Sequence, residues 1–418
     1  MPKMKQTRAR KTRVPRPVAP RAVLAPAVEI PEVRISARGA QRLKGGHVWV
    51  YRSDIDSADV AAGALVVVKD HRGKPLGTAL YSSSSQIAVR MISPNAVAAE
   101  ELPALLRERI RAAITYRKQV VENTDACRLV FSEADFLPGL ILDRYNEVLC
   151  LQILTQGMDS AVARDAIVRT FAEDLRPAGI VERVEPRVRE LEQLPPRPSQ
   201  LVHGETSASI FTMNGVRFHF DGLTGQKTGG FLDQRENYAV AEHYSHGEAL
   251  DVFCYQGGFA LHLARRCTSV TGVDSSRPAL EVAEQNSQLN GHEIDWIEAN
   301  AFDLLKDYAG ANRQYDTIVL DPPAFARSRR ALQTALRGYK ELNLRALKML
   351  RPGGILVTCS CSYHVGEAEF VEMLASAAVD AHRSVRILEK RGQSKDHPVV
   401  LTIPETSYLK CVIAVVSH

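Results

Sequence analysis

Leu250-Asp251-Val252-Phe253-Cys254-Tyr255-Gln256-Gly257-Gly258-Phe259 is the stretch that decides how the second half of this chain folds. Its first four residues are apolar, branched or aromatic around one carboxylate, the pattern of a buried strand. Gly257 and Gly258 then turn the chain, permit a positive φ and let a ligand approach the backbone. Ala260 to Arg266 has helical spacing, and Val270 to Val273 reads as a second strand that ends at Asp274. A carboxylate at that place can accept hydrogen bonds from both hydroxyls of a ribose; spacing alone equally allows a surface carboxylate. A third strand leads into Glu298-Ala299-Asn300-Ala301-Phe302, where an amide and a ring suit an adenine, although a loop asparagine is the plainer reading. Neither G-x-G-x-x-G nor G-x-x-x-x-G-K-[ST] occurs, which argues against NAD and nucleoside triphosphates. From Ile210 onward strand and helix patterns alternate, as in a doubly wound α/β sheet.

Two further runs carry the chemistry. Asp321-Pro322-Pro323-Ala324-Phe325 reads as the end of a strand opening onto a planar base, and Ser360-Cys361-Ser362 places a thiol at the end of the next one. The order strand, Gly-turn, helix, strand with terminal Asp, strand, Asp-Pro-Pro points to S-adenosylmethionine (SAM) as cofactor. The residues expected to hold it are Asp251, Phe253, Tyr255, Gly257, Gly258, Phe259, Asp274, Ser275, Asn300, Ala301, Phe302, Asp321 and Pro322. The thiol matters because an amino group accepts a methyl without covalent help. A pyrimidine C5 carbon is a poor nucleophile until a thiolate adds at C6. Cys361 is therefore the expected nucleophile, against the plainer reading of a small buried core residue. Asp321 is expected to hydrogen-bond the edge of that base (N3 and the exocyclic amine, where the base is the cytosine that the family resemblance given below implies), and to serve as general acid if it keeps a proton; the plainer reading is a helix N-cap.

The 418 residues suggest two or three domains, and 45% hydrophobic content is ample for packed cores. Seven cysteines, an odd number without zinc-like spacing, suit a reducing cytosol and a cytoplasmic protein. His47, His364 and His397 have no ligand spacing, so no metal is expected. No apolar run approaches a membrane span, and no signal peptide is expected. Net charge is +5, but eight basic and no acidic residues precede Glu29; removing those eight from 53 leaves 45 basic against 48 acidic. RNA binding by the remainder must use local patches, with the tail adding salt-sensitive affinity. The prolines at 15, 17, 20, 26 and 31 argue against a continuous helix, hence for a disordered tail over 1–32 and against a mitochondrial transit peptide.

Residues 33–100 read as a small β-rich unit, with strands at Val33-Arg34-Ile35, His47 to Tyr51, Gly63 to Val68 and Gln86 to Ile92. Residues 101–205 read as a connecting helix (Glu100 to Val121) and a central α+β unit. That unit has two strands between Leu129 and Thr155, a helix from Asp159 to Leu175, a strand from Val181 to Arg189 and a proline-rich loop at Leu194 to Ser199. Residues 206–418 form the Rossmann-like α/β unit. Trp49 and Tyr51 are taken as core rather than as RNA-stacking rings.

At this point the chain resembles the RlmI-type family of bacterial ribosomal-RNA cytosine-C5 methyltransferases. The likeness rests on Gly39-Ala40-Gln41-Arg42-Leu43 with His47-Val48-Trp49-Val50-Tyr51, Leu137 to Arg144, Gly225 to Gly229 through Asp233-Gln234-Arg235, and Phe253 to Phe259. It continues through Asp321 to Phe325, Arg337-Gly338-Tyr339-Lys340, Ser360-Cys361-Ser362, Asp396-His397-Pro398 and Tyr408-Leu409-Lys410. The resemblance implies a PUA domain, a central α+β domain and a class I methyltransferase domain that uses SAM to methylate cytosine in 23S rRNA. It also implies that Gln226, Lys227, Thr228, Asp233, Gln234, Arg235, Pro323 and Phe325 line the way in for cofactor or RNA. A homodimer is compatible with it. Gly230 stands where relatives carry a bulky residue, which would loosen that loop, and Cys359 where an apolar residue is usual. Alternation along a strand points Cys359 and Cys361 the same way, with Cys361 nearer the ligand-binding end. Related cytosine-C5 enzymes carry a second cysteine at the place of Pro323, so one cysteine is implied here.

Two other functions compete. An adenine-N6 or guanine-N2 methyltransferase would use the Asp-Pro-Pro-Ala-Phe loop without Cys361. A non-catalytic RNA-binding factor on a decayed enzyme is disfavoured by intact Asp251, Gly257, Asp274, Asp321 and Cys361.

Overall fold

The structure is a computed structural model that describes residues 30–224, 229–326 and 328–417. The basic tail before Ile30, and Gln226, Lys227 and Thr228, lie outside the described residues.

The N-terminal unit is a six-stranded mixed sheet spanning Glu32 to Ser93. The inward residues of its alternating strands, among them Val33, Ile35, Val50, Val66, Val68 and Val89, form its core. A helix missing from the sequence reading, Ala37–Lys44, starts where the Ser36 side chain caps the Gly39 N–H. Its Arg38 and Arg42 pair with the buried Asp54.

The helix Leu102–Val120 crosses to a five-stranded sheet. Where two strands were expected between Leu129 and Thr155 there are three, Ala126–Phe131, Leu140–Tyr145 and Val148–Ile153. The short 3-10 turn Ser132–Asp135 breaks the first apolar run. The strand expected over Val181 to Arg189 also needs correction. Strand Gly179–Glu182 stops, and a helix Pro186–Leu191 begins with proline in its first turn, where a missing N–H costs nothing. The helix Ala161–Leu175 packs on the sheet, and Leu194 to Ser199 is a loop.

The α/β alternation begins later than Ile210. The strands Ala208–Met213 and Val216–Asp221 form a two-stranded hairpin outside the large sheet, bridged at Met213 to Thr124. The large sheet follows, and its strands are named β1 (Glu248–Val252), β2 (Ser269–Asp274), β3 (Asp295–Glu298), β4 (Tyr315–Leu320), β5 (Leu350–Ser360), β6 (Ser384–Arg391) and β7 (Lys410–Ser417). Their order is β3-β2-β1-β4-β5-β7-β6; β7 runs antiparallel to both neighbours and the other pairings are parallel. Helices α1 (Arg235–Tyr244), α2 (Gly258–Leu263), α3 (Arg277–Asn290), α4 (Ala301–Gly310), α5 (Leu332–Met349) and α6 (Glu367–Asp380) cover the sheet. Chain order reverses between β1 and β4, so a crevice opens at the carboxyl ends of those strands.

Register fixes what lines that crevice. Val273, Val252, Leu320 and Thr358 stand side by side in one row across β2, β1, β4 and β5. Asp274 and Asp321 follow that row by one residue, Asp251 precedes it by one, and Cys361 lies just past the end of β5.

Candidate active site

The loop after β1 is bent hard. Phe253 (φ 68°) and Tyr255 (φ 51°) occupy the left-handed region, which costs a non-glycine residue roughly 1–2 kcal/mol each. The bend is held from β2: the Phe253 and Cys254 N–H groups both donate to the Val273 carbonyl (2.8 and 3.0 Å). The Tyr255 N–H donates to Asp274 Oδ2 (2.9 Å), while Asp274 Oδ1 accepts the Ser276 N–H (2.9 Å). Asp274 thus clamps one strand end to the next. Each carboxylate oxygen keeps a second lone pair for a hydroxyl. Ser275 sits between that carboxylate and Ser276, the N-cap of α3.

Asp251 is fully buried. Its Oδ2 accepts the Ala260 N–H (2.9 Å), and its Oδ1 has no hydrogen-bond partner among the described residues. Burial drives its pKa well above the usual carboxylate value, the Ala260 bond opposes this, and Asp321 and Asp274 add to it. A buried carboxylate oxygen without a donor is costly, and a cationic ligand such as the ammonium of SAM would supply one. The residues present therefore fit that cofactor.

The two glycines have a further reason to be glycine. A Cβ on Gly258 would lie 2.5 Å from the Tyr238 ring and hydroxyl, and one on Gly257 2.8 Å from Trp296. Phe259, packed edge-on to Tyr238 with centroids 4.7 Å apart, belongs to the buried core behind the loop. Asn300 also has a structural job: its Oδ1 accepts the Phe302 and Asp303 N–H groups and caps α4, which begins at Ala301. The Phe302 ring lies 6.0 Å from Phe325, which packs on Tyr339 at 4.7 Å.

Asp321 Oδ2 accepts from Gln234 Nε2 (3.0 Å). Gln234 is itself buried and oriented, because its Oε1 accepts from Asn237 Nδ2 (2.7 Å). Asp233 Oδ2 accepts the Tyr408 hydroxyl (2.6 Å). Arg235 departs from its expected place. It is 1% exposed and donates to both oxygens of the buried Asp396 (3.0 and 3.3 Å), so it braces the base of α1 and lines no way in. Gly230 is held rather than loose, since its N–H donates to the Tyr145 hydroxyl (3.0 Å).

Cys361 is partly exposed, and its Sγ lies 3.9 Å from the Pro322 carbonyl. Ser362 Oγ accepts the Ala326 N–H (3.1 Å) and meets the Tyr339 hydroxyl (3.0 Å). The Asp-Pro-Pro loop and the Ser-Cys-Ser turn are thereby tied together at Pro322 and Ala326, while Pro323 is exposed and Phe325 packs on Tyr339. Because Cys361 lies beyond the last paired residue, strand alternation does not set its direction. Cys359 is opposite Cys411 in the ladder and fully buried. Burial, then Cys411, raises its pKa well above an ordinary thiol's. Sequence reasoning missed Asn237, Tyr339, Tyr408 and Lys410 as site neighbours, though Arg-Gly-Tyr-Lys and Tyr-Leu-Lys had stood out as motifs. Among the described residues no group of three or more His, Cys, Asp or Glu side chains could hold a metal.

Residues 193–402 match the family described as S-adenosylmethionine-dependent methyltransferase, and residues 33–94 match the PUA-like domain. Two solved structures share the fold over 92% of this chain and 99% of their own. One is a methyltransferase complexed with SAH (TM-score 0.79, 20% identity), the other a SAM-dependent methyltransferase from Streptococcus mutans (TM-score 0.78, 19% identity). Fold and site together define a class I SAM-dependent methyltransferase preceded by a PUA-like unit. The ribosomal RNA large subunit methyltransferase I of Shewanella denitrificans is 37% identical over 396 residues (91% of this chain, 99% of that protein). That of Klebsiella pneumoniae is 35% identical over 388 (90% and 96%). The chain belongs to the ribosomal RNA large subunit methyltransferase I family.

Proposed function

We propose that this protein converts cytosine to 5-methylcytosine in 23S ribosomal RNA through a covalent Cys361 adduct. The observation that carries this reading is the meeting of Cys361 with the Asp-Pro-Pro loop at the carboxyl ends of β4 and β5, Sγ 3.9 Å from the Pro322 carbonyl. Asp251, Asp274 and the loop from Phe253 to Phe259 hold SAM, with Ser275 and the Asn300-Ala301-Phe302 turn at its adenosine end. Bound there, SAM supplies an electrophilic methyl group. The target base leaves its stack to reach the thiol, and Asp321 reads its N3 and exocyclic amine. The Cys361 thiolate adds to C6, and the displaced ring electrons make C5 nucleophilic. C5 would take the methyl group as the S–CH3 bond of the donor breaks and leaves its electron pair on sulfur, and transfer of the C5 proton to solvent then expels the thiolate and restores the ring. Pro323 leaves this site with one cysteine in that role. The PUA-like unit over about 33–100 and the central unit over 101–205 supply shape and phosphate contacts. Seven free thiols suit the cytoplasm.

The Asp-Pro-Pro-Ala-Phe loop also favours a second reading, direct transfer to adenine N6 or guanine N2. The deciding experiment incubates protein with labelled SAM and unmodified 23S rRNA, digests the RNA and identifies the nucleoside by mass spectrometry. 5-Methylcytidine that disappears in Cys361→Ala supports the covalent route. N6-methyladenosine or N2-methylguanosine, undiminished in that variant, establishes the second reading instead.

A further inference from the structure

Tyr408-Leu409-Lys410 was singled out in the sequence without a role, and the fold supplies one. Lys410 opens β7, and its backbone faces Ser360 across the β5 ladder. Its Nζ donates to the Ser362 carbonyl (2.6 Å) and to the Tyr408 carbonyl (2.8 Å). One lysine therefore engages the residue before Cys361 through register and the residue after it through its side chain. The ammonium is held against the turn that presents the thiol.

We propose that Lys410 is a positioning residue that keeps Cys361 in its thiolate form, ready to add to a pyrimidine ring. The proposal rests on the covalent reading above. Ionisation releases the Sγ proton to solvent, and the electron pair left on sulfur forms the bond to C6. Lys410 keeps its own proton throughout and acts through its charge and its hold on the Ser362 carbonyl.

The surroundings make such a cation necessary. Asp321 stands on the loop that Cys361 touches, and Glu369 of α6 lies near Lys410. The Tyr408 phenol is tied to the Asp233 carboxylate, and the Tyr339 phenol of α5 to Ser362. Carboxylates disfavour a thiolate, and an ammonium favours it. Burial lowers the Lys410 pKa to about 8, with Cys361 and then Glu369 opposing that fall. Influence between two charges is reciprocal, so the ammonium favours a charged Cys361 in turn.

The test follows alkylation of Cys361 by iodoacetamide as a function of pH in the full-length protein, without SAM or RNA, resolved by peptide mass spectrometry. Wild-type Cys361 is expected to react with a midpoint below the roughly 8.5 of a free thiol. Lys410→Gln, which keeps an N–H donor and loses the charge, should raise the midpoint by about one unit and slow labelling at pH 7 about tenfold. Lys410→Arg should restore the wild-type profile. A wild-type midpoint at or above that of a free thiol overturns the proposal, and this needs no variant. So does an unshifted Lys410→Gln, or a Lys410→Arg that shifts as far as Lys410→Gln. Normal 5-methylcytidine with an unshifted midpoint removes the role of Lys410 alone. A shifted midpoint in Lys410→Gln, beside a wild-type protein that forms no 5-methylcytidine, removes the covalent reading and leaves the lysine's effect on the thiol.

Discussion

Gln234 Nε2 lies 3.0 Å from Asp321 Oδ2, and the opposite end of the same amide is occupied by Asn237. The amide cannot flip without losing both bonds, so it presents a donor to the carboxylate and fixes its plane. A hydrogen bond to a charged group contributes roughly 1.5–3 kcal/mol. Gln234→Ala should therefore lower kcat/KM by roughly tenfold to a hundredfold. Steady-state kinetics checks this, beside calorimetry in which SAM affinity stays at the wild-type value. Unchanged kinetics would deny Asp321 its dependence on Gln234.

Asp251 carries a cost that the cofactor is expected to relieve. Burial raises its pKa, so ionising it opposes folding increasingly as pH rises through the folded-state value. Asp251→Asn keeps an acceptor for the Ala260 N–H and removes that penalty. At pH 8 the variant without SAM should melt at or above the wild-type temperature, and its SAM affinity should fall at least roughly tenfold for want of the charge-assisted bond. Thermal melts with and without SAM measure both effects. Wild-type SAM affinity in the variant would take Asp251 out of the cofactor site.

Arg235 should behave as a structural residue. Burial pushes the Asp396 pKa up, but His397, Arg235 and the Arg128 N–H outweigh it and hold the pKa at about 2. A lowered carboxylate pKa stabilises the fold above the unfolded value of roughly 4, and that contribution fades as pH falls toward the folded value. Arg235→Leu removes the guanidinium from the buried Asp396, leaving it only His397 and the Arg128 N–H, and should cost about 3 kcal/mol in urea unfolding at pH 7. Wild-type stability with weakened RNA binding would return Arg235 to the lining of the site.

Cys359 is expected to be inert. It is fully buried against Cys411, and its raised pKa leaves it a neutral thiol. Cys359→Ala should keep methyl transfer within a few-fold of wild type and lose roughly 1 kcal/mol of stability to the small void. Loss of activity comparable to that of Cys361→Ala would assign Cys359 a part in the chemistry.

The strand ends were legible because apolar runs stop at polar residues. Val270 to Val273 stops at Asp274, the run through Leu320 at Asp321, and the strand before Cys361 at Ser360. Periodicity of that kind is local, so the Rossmann-like unit and its expected carboxylates could be read without a fold. Other features were not legible for a local reason too. The alternation from Ile210 onward did not reveal that the first two strands close on each other as a hairpin, since pairing partners leave no mark on periodicity.

What the residues alone determined is the succession of buried strands, the polar residues that end them, and a thiol forty positions after Asp321. Only tertiary structure decided that Arg235 faces inward to Asp396 and that Gln234 reaches Asp321. It also decided that Gly258 is required by Tyr238, and that Lys410 holds the Ser362 carbonyl in the turn that carries Cys361. Burial and charge pairing are set by whichever segments the sheet register brings together. Lys410 faces Ser360, the residue before Cys361, because β7 inserts antiparallel next to β5, a pairing between residues 50 positions apart that no local pattern encodes.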